Sequence, residues 1–237
     1  MSTTIPGLNN FKGDVIHPQF WPEDLDYNNK NVVVIGSGAT AVTLLPNLAK
    51  KARHVTMLQR SPGYIVSMEN STPPILKLLF PGKLLYIFLR FWFLTSFFIQ
   101  FQLCRAFPAT AKQKLTVAME RKLPLGVPID PHFTPKYNPW EQRLCLSPDG
   151  DFFGCLRAGT ASVSTGQIEG FTNNGIRLKG GEKIDDVDIV ITATGLKLVF
   201  GGKIEISVNG ERLDVSERLL WRGCMLEDVP NACFIMG

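Results

Sequence analysis

The amino-acid sequence predicts an α/β fold with a parallel β-sheet, on three observations. Residues 31–35 are a predicted strand, because the four residues after Asn31 form an unbroken apolar, β-branched run that is typical of a parallel strand buried on both faces. A glycine-rich turn and a helical pattern over residues 41–50 then lead to a second strand at residues 54–59, which completes a β-α-β unit. The strand signal returns from about residue 160.

The composition predicts a folded protein with a substantial core. Of the 237 residues 45% are hydrophobic and 19% are charged, which argues against a disordered chain. The net charge of +4 is distributed unevenly, because residues 73–122 hold eight basic residues and one acidic residue. A basic excess confined to one segment does not predict a nucleic-acid-binding surface.

The cysteines and histidines predict no metal site. None of the five cysteines forms a C-x-x-C pair, and the three histidines are scattered along the chain. Reduced thiols in a reducing compartment are therefore expected. The first residues show no basic segment followed by an apolar run, so we expect a cytoplasmic and not a secreted protein.

The order of patterns along the chain predicts three regions. Residues 1–30 are expected to form an irregular lead-in, and residues 31–195 the parallel α/β domain, with a mainly helical insertion at about 64–145. Residues 196–237 are expected to form a separate segment. Predicted later elements are short strands at 162–164, 175–178 and 188–191, a hairpin at 203–213 around Asn209-Gly210, and a last strand at 232–236.

The turn after the first predicted strand carries a dinucleotide-binding pattern, Gly36-x-Gly38-x-x-Ala41. Gly36 permits the tight turn, Gly38 lets the backbone approach a pyrophosphate, and Ala41 permits close packing of helix on strand. The phosphates would lie on the first backbone amides of the helix. The strand–turn–helix context therefore predicts a Rossmann-like site formed by Gly36, Ser37, Gly38, Ala39, Thr40 and Ala41.

The end of the second strand indicates which nucleotide binds. NAD-binding units place a carboxylate there for the ribose 2′-hydroxyl, whereas this chain has Gln59, Arg60 and Ser61. Because a guanidinium pairs well with a 2′-phosphate, we predict NADP(H) rather than NAD(H). The alternative is that Arg60 is an ordinary solvated surface residue.

A second motif precedes the first strand. Phe11, Gly13, His17 and Trp21 lie at the spacing F-x-G-x-x-x-H-x-x-x-W-P. Together with the glycine-rich turn, this motif resembles the signature of the flavin-containing Baeyer–Villiger monooxygenases. The resemblance implies two dinucleotide-binding domains, one for NADP and one for FAD, with residues 1–30 as the linker between them. His17 would then couple the movement of the two domains, or simply pack, and Trp21 would pack the linker down.

Two further segments carry the resemblance. Thr192-Ala193-Thr194-Gly195 resembles the family's A-T-G motif, which implies a cofactor contact at Thr194 and Gly195 and places residues 196–237 in part of the FAD-binding domain. The segment 137–145 resembles the stretch that carries the family's active-site arginine, with closest similarity to the ethionamide-activating subgroup. Arg143 would be that catalytic residue. A surface ion pair of Arg143 with Glu141 or Asp149 is the alternative.

The resemblance implies an enzyme that uses NADPH, FAD and O2. In the family a C4a-peroxyflavin transfers one oxygen atom to a ketone or to the sulfur or nitrogen of a small organic substrate, next to a fixed cation. Members of the family also carry an FAD-binding glycine motif well before F-x-G-x-x-x-H. We therefore expect this sequence to be a fragment. The alternative from another class is a non-catalytic NADP(H)-binding remnant.

Leu84 to Phe101 is strongly apolar and approaches the length of about 20 residues that a membrane-spanning helix needs. Arg90 lies inside it and would be costly at the centre of a bilayer. Three arrangements fit this pattern: a helix packed on the protein, a helix lying in the membrane interface beside its basic flanks, and a transmembrane span.

Overall fold

A computed structural model describes residues 5–72, 74–79, 82–195 and 204–235. The chain groups into two compact units that divide after Gly195. The assignment of these units to an NADP-binding and an FAD-binding domain stays a prediction.

The larger unit contains ten strands and five helices among its described residues. The strands are β1 (Asp14–Ile16), β2 (Asn31–Ile35), β3 (His54–Gln59), β4 (Ile65–Met68), β5 (Cys145–Pro148), β6 (Ala161–Thr165), β7 (Ile168–Phe171), β8 (Ile176–Leu178), β9 (Lys183–Ile184) and β10 (Ile189–Thr192). The helices are α1 (Ala39–Leu48), α2 (Pro74–Leu79), α3 (Gly82–Ala106), α4 (Pro108–Glu120) and α5 (Asp151–Arg157). Five strands form a parallel sheet in the order β1-β10-β2-β3-β6, which confirms the predicted α/β fold class.

The two faces of this sheet are buried by different partners. Because side chains alternate along a strand, Val32 and Val34 of β2 point into a core shared with α1 and α5, where Leu45 is fully buried. Val33 points the other way, into a smaller core that includes Phe171 from the antiparallel β7-β8-β9 sheet. Burial on both faces explains why β2 is apolar at consecutive positions. Pro46 lies near the end of α1.

The lead-in is more ordered than expected. Residues 14–16 form β1, which pairs in parallel with β10 at the edge of the sheet. The prediction of an irregular lead-in was wrong here, because a three-residue edge strand shows no alternation and its hydrogen-bonding partner lies far along the chain. Gly13 precedes β1 at a point of close approach, where a Cβ atom would overlap the carbonyl oxygen of Asp188 and the ring of Phe11.

We expect Gly13→Ala to lower the free energy of unfolding by about 2–3 kcal/mol, since the added methyl group meets rigid backbone and a buried ring. Urea denaturation followed by circular dichroism measures this. Gly154→Ala is the matched control, because it lies in α5 with no atom within 4 Å of the added Cβ. Alanine there should stabilise the protein by about 0.5–1 kcal/mol. Equal stability of Gly13→Ala and the parent would contradict the prediction.

The predicted insertion is helical only in part. Helices α2, α3 and α4 lie within it, but residues 65–68 form β4, which pairs in parallel with β5 outside the main sheet. Residues 121–144 form turns and irregular structure. Five prolines in that stretch remove backbone donors and restrict the backbone, which explains why no regular element forms.

The described part of the smaller unit consists of short elements. They are β11 (Ser207–Val208), β12 (Glu211–Arg212), β13 (Leu220–Trp221) and β14 (Met225–Leu226). The predicted hairpin is confirmed in β11 and β12, with positive φ angles of 53° at Asn209 and 86° at Gly210, as its two-residue turn requires; Lys203 lies outside the described residues. The predicted last strand is wrong for residues 232–235, which form no strand in the described structure, although the amide of Phe234 donates a hydrogen bond of 2.7 Å to the carbonyl oxygen of Cys224. Met236 lies outside the described residues.

Candidate nucleotide-binding site

Three predicted segments meet at one edge of the parallel sheet. The glycine-rich turn follows β2, Arg60 follows β3 and Ala193 follows β10, and parallel strands end on the same side. The chain runs from β2 outward to β3 and β6, then returns to β10 on the other side of β2. The topology therefore reverses between β2 and β10. Ligands of open α/β sheets bind outside the carboxyl ends of the strands at such a point.

Gly36 joins two of these segments. Its φ angle is 134°, in the region that glycine favours, and a Cβ atom would overlap the carbonyl oxygen of Ala193. Its amide donates a hydrogen bond of 2.8 Å to the carbonyl oxygen of Leu58 in β3. The turn is thus held between β3 and the A-T-G segment, and Thr194 and Gly195 follow directly.

The first turn of α1 is open to solvent. Gly38, Ala39 and Thr40 are exposed, and Gly38 occupies the N-cap position without a side-chain hydrogen bond to the helix amides. A Cβ atom on Gly38 would meet nothing within 4 Å, so free space lies in front of these amides. The amino end of a helix carries a partial positive charge and unpaired N–H groups. This cradle fits a pyrophosphate, and a side chain at Gly38 would project into it.

The end of β3 lies beside this cradle. Ser37 in the turn donates a hydrogen bond of 3.1 Å from Oγ to the carbonyl oxygen of Ser61, which ties the two loops together. Arg60 is exposed, and it takes no part in the two ion pairs formed between described residues, Arg212–Glu205 and Arg218–Asp228. Its guanidinium is therefore available to an anionic ligand. Exposure alone also suits a solvated surface arginine.

Gln59 has a different environment from Arg60, although we predicted both as cofactor-binding. Its side chain is 2% exposed and donates hydrogen bonds of 2.7 Å to the carbonyl oxygen of His132 and 2.9 Å to Oγ1 of Thr165. Both hydrogens of the amide nitrogen are therefore used within the protein, and neither is free for a nucleotide; a cofactor contact by Gln59 stays a prediction. His132 Nδ1 lies 2.8 Å from the same Thr165 oxygen, and burial lowers the pKa of His132, which favours its neutral form.

Arg143 does not form either of the surface ion pairs considered above. Arg143 is exposed, and the carboxylate of Glu141 accepts hydrogen bonds of 2.9 and 2.7 Å from the backbone and side chain of Asn138. Asp149 accepts a hydrogen bond of 2.8 Å from the amide of Asn70. Both carboxylates have other partners, and no ion pair between described residues includes Arg143.

The segment around Arg143 is anchored next to the glycine turn. The thiol of Cys145 donates to the carbonyl oxygen of Ser37 over 3.7 Å, and the hydroxyl of Tyr64 donates to the carbonyl oxygen of Tyr137 over 2.8 Å. The two tyrosine rings pack edge-to-face with centroids 5.5 Å apart. Burial raises the pKa of Tyr64 to about 12 and also raises the pKa of Cys145, so both groups remain protonated at neutral pH.

The F-x-G-x-x-x-H-x-x-x-W-P motif, which includes β1, packs within the larger unit. Phe11 is buried edge-to-face on Phe171, with ring centroids 5.8 Å apart. His17 directly follows β1, and its Nδ1 accepts a hydrogen bond of 3.2 Å from the amide of Gln19 in a short 3-10 helix. Trp21 packs against the main core. His17 therefore lies at the edge of the sheet that carries the glycine turn, and its role in domain coupling stays a prediction.

Sequence reasoning missed the contacts of Gln59 and the two tyrosines that anchor the Arg143 segment. Gln59 and Thr165 lie 106 residues apart, and Tyr64 and Tyr137 lie 73 apart. None of these pairs has a local pattern that reveals it. The signal that could have indicated Gln59 is its place as the last residue of a buried parallel strand, where a polar side chain needs internal partners.

Comparison with known proteins identifies the family. The flavin-binding monooxygenase-like family matches residues 2–209. The FAD-containing monooxygenase EthA of Mycolicibacterium smegmatis is 46% identical over 239 residues, which cover 100% of this chain and 48% of the relative. The probable FAD-binding monooxygenase AlmA of Acinetobacter baylyi is 46% identical over 238 residues, which cover 98% of this chain and 47% of the relative. This chain thus spans about half the length of the curated relatives it matches.

Solved structures agree on the fold. The crystal structure of OTEMO in complex with FAD and NADP superposes with a TM-score of 0.61 at 19% identity, over 83% of this chain and 45% of that one. Cyclohexanone-bound cyclohexanone monooxygenase gives a TM-score of 0.60 at 19% identity, over 83% of this chain and 46% of that one. With a match over most of its length, the chain belongs to the flavin-binding monooxygenase-like family.

Proposed function

We propose that the protein acts as an NADPH- and FAD-dependent monooxygenase on a small organic substrate. The reaction would insert one oxygen atom from O2 into a ketone or add it to sulfur or nitrogen. Membership of the flavin-binding monooxygenase-like family and relatives named as FAD-containing monooxygenases support this proposal. Because the chain spans about half of those relatives, the activity of the whole protein is inferred from them.

One observation carries the nucleotide part of the proposal. The uncapped and exposed first turn of α1 lies at the topological switch point of the sheet, with the guanidinium of Arg60 at the end of the neighbouring strand. The helix amides would bind the pyrophosphate of NADPH, and Arg60 would pair with its 2′-phosphate. Ser37 and Ser61 would hold the two loops at the required separation. Thr194 and Gly195 would border the site from the end of β10.

FAD enters the proposal through the family. The sequence contains one G-x-G pattern, and we assign it to NADP(H). The chemistry that bound FAD supplies is the acceptance of electrons from NADPH and the activation of O2. The residues of this chain would bind and orient the nicotinamide nucleotide and place the charge of Arg143 near the reaction.

A cytoplasmic location also stays a prediction.

Arg143 is the residue that we propose to be catalytic. It is an exposed cation without an ion-pair partner among the described residues, and Cys145 holds its segment against the glycine turn. A fixed guanidinium there would stabilise negative charge that develops during oxygen transfer, because such a charge needs no reorganisation in the transition state.

We expect Arg143→Ala to lower kcat for substrate-dependent NADPH oxidation by about 100- to 1000-fold, the usual loss when one group that stabilises an oxyanion is removed. Affinity for NADPH, measured by fluorescence titration, should change little. Arg177→Ala is the matched control, since Arg177 is also exposed but lies on β8 in the antiparallel sheet. An unchanged kcat in Arg143→Ala would remove Arg143 from the reaction.

The purified protein tests the proposal directly. We expect flavin absorbance in the purified or FAD-reconstituted protein, preferential binding of NADPH over NADH, and O2 consumption driven by NADPH. A colourless protein that binds NADPH and consumes no O2 after addition of FAD would instead support the alternative, a non-catalytic NADP(H)-binding remnant. A protein that binds neither nicotinamide nucleotide would contradict both.

A further inference from the structure

Helix α3 is a long apolar helix that is almost entirely exposed. The helix, of 25 residues, is long and apolar enough to cross a membrane, yet only 6% of its most apolar stretch is buried inside the protein. A helix of this composition inside a protein core would be mostly buried instead. We therefore expect the exposed apolar surface of α3 to bind a partner.

One side of α3 is fastened to the protein. Leu85 and Cys104 are buried near its two ends, and Phe97 and Phe101 pack edge-to-face against Trp140 with ring centroids 5.1 and 5.3 Å apart. Phe97, Phe101 and Cys104 are three and four residues apart and share one face of the helix, whereas Leu85 is buried on another side near the amino end. Hence α3 lies along the surface of the protein instead of projecting from it.

A face of α3 beside these contacts is apolar and exposed. Residues at three- and four-residue spacing form this outer face, and their exposed fractions are 58% for Leu84, 54% for Ile87, 70% for Phe91, 57% for Leu94 and 60% for Phe98. A surface helix of a globular protein normally carries charged residues on this side. A continuous apolar stripe of this length marks a site of interaction.

The charges around α3 indicate what the stripe binds. Residues 73–122 include eight basic residues and one acidic residue, and α3 itself has no acidic residue. Arg90 donates a hydrogen bond of 3.0 Å to the hydroxyl of Tyr86, and the guanidinium of Arg105 lies over the ring of Phe101 at 5.8 Å. Cations beside an apolar face complement a surface that is negatively charged outside and apolar beneath, as an anionic lipid bilayer is.

We propose that the outer face of α3 binds the interface of a bilayer that contains anionic lipids, with the helix axis parallel to the membrane. A transmembrane span would detach Phe97 and Phe101 from Trp140 and place Arg90 in hydrocarbon. The interfacial arrangement keeps the inner contacts and buries the apolar stripe. This inference does not depend on the oxygenase activity.

Vesicle flotation of the purified protein tests the proposal. We expect the protein to float with vesicles of phosphatidylcholine and phosphatidylglycerol, to float poorly with phosphatidylcholine alone, and to be partly released by high salt. Phe91→Glu should weaken partitioning into vesicles by about tenfold or more, because it removes an aromatic ring that would be buried in the bilayer and adds a negative charge. Leu125→Glu makes the same change in charge at a fully exposed site outside α3 and should have little effect.

The depth of insertion distinguishes an interfacial helix from a span. Trp92 is 64% exposed on α3, one residue after Phe91 and beside the outer face, and serves as a native fluorescence probe. We expect its emission to shift to the blue with anionic vesicles and to be quenched more by lipids brominated near the headgroup than at mid-chain. Trp92→Phe should abolish this response. Stronger quenching at mid-chain would overturn the interfacial proposal in favour of a span.

Two further outcomes would also overturn the proposal. Absence of flotation with either lipid mixture would mean that a protein surface or a second copy of the chain covers α3. Flotation that is equal for Phe91→Glu and the parent would mean that another surface binds the vesicles. Circular dichroism of Phe91→Glu checks that the variant is folded, and the Trp92 measurement on the parent protein needs no apolar-face variant.

Discussion

Gly38→Val is expected to weaken the binding of NADPH by about 100-fold or more, because the added side chain projects into the space in front of the α1 amides and excludes the pyrophosphate. The variant should still fold. Gly38 has φ −81° and ψ −178°, an extended conformation that valine adopts readily, and a Cβ atom there meets nothing within 4 Å. Fluorescence titration with NADPH measures the affinity, and thermal denaturation checks the fold.

A substitution at Gly38 tests nucleotide binding more cleanly than one at the neighbouring Gly36. A side chain at Gly36 would overlap the carbonyl oxygen of Ala193, so a loss of binding there would reflect a damaged fold. Gly154→Ala in α5, where a Cβ atom meets nothing within 4 Å, is the control for a harmless glycine substitution. If Gly38→Val bound NADPH as tightly as the parent, the nucleotide would lie elsewhere and the proposed site would be wrong.

Arg60→Ala is expected to lower the affinity for NADPH by about 10- to 100-fold and to leave the affinity for NADH nearly unchanged. A charge-assisted hydrogen bond between guanidinium and 2′-phosphate accounts for a difference of this size. NADH lacks that phosphate and so has no interaction to lose. Parallel fluorescence titrations with the two nucleotides give the ratio of affinities.

Two additional measurements sharpen the test of Arg60. The preference of the parent protein for NADPH should fall at high salt, since the interaction is electrostatic and exposed, and Arg60→Ala should show less of this salt dependence. Arg177→Ala, which removes an exposed charge from β8, should alter neither affinity. A ratio that is the same in Arg60→Ala and the parent would show that Arg60 is an ordinary surface residue.

Elements with a strong local pattern were predicted with their bounds. The strands β2 and β3 begin and end at the predicted residues. In β2 the signal is the run of consecutive apolar side chains that a parallel strand buried on both faces needs. The hairpin around Asn209-Gly210 was predicted for a similar reason, because its turn requires positive φ angles that these residues tolerate. In each case neighbouring residues carry the whole signal.

Elements that depend on distant partners were not predicted. The strand β1 exists because β10 offers an edge to it, and residues 14–16 alone show no alternation. The apolar residues 232–235 have the composition of a strand but form none in the described structure, where the amide of Phe234 donates a hydrogen bond of 2.7 Å to Cys224 instead of joining a strand ladder. A strand needs a hydrogen-bonding neighbour, and local composition does not reveal whether one is present.

The parallel β-α-β unit, the glycine turn and the family motifs are readable in the amino-acid order, because each rests on residues close together in the chain. Which side chains at the sheet edge can reach a ligand depends on contacts made in the folded protein. The tertiary structure buries the amide of Gln59 against His132 and Thr165, and it leaves Arg60 exposed one residue later. Gln59 is the last residue of β3 and the partners that bury it come from segments distant in the chain, whereas Arg60 lies beyond the end of the strand.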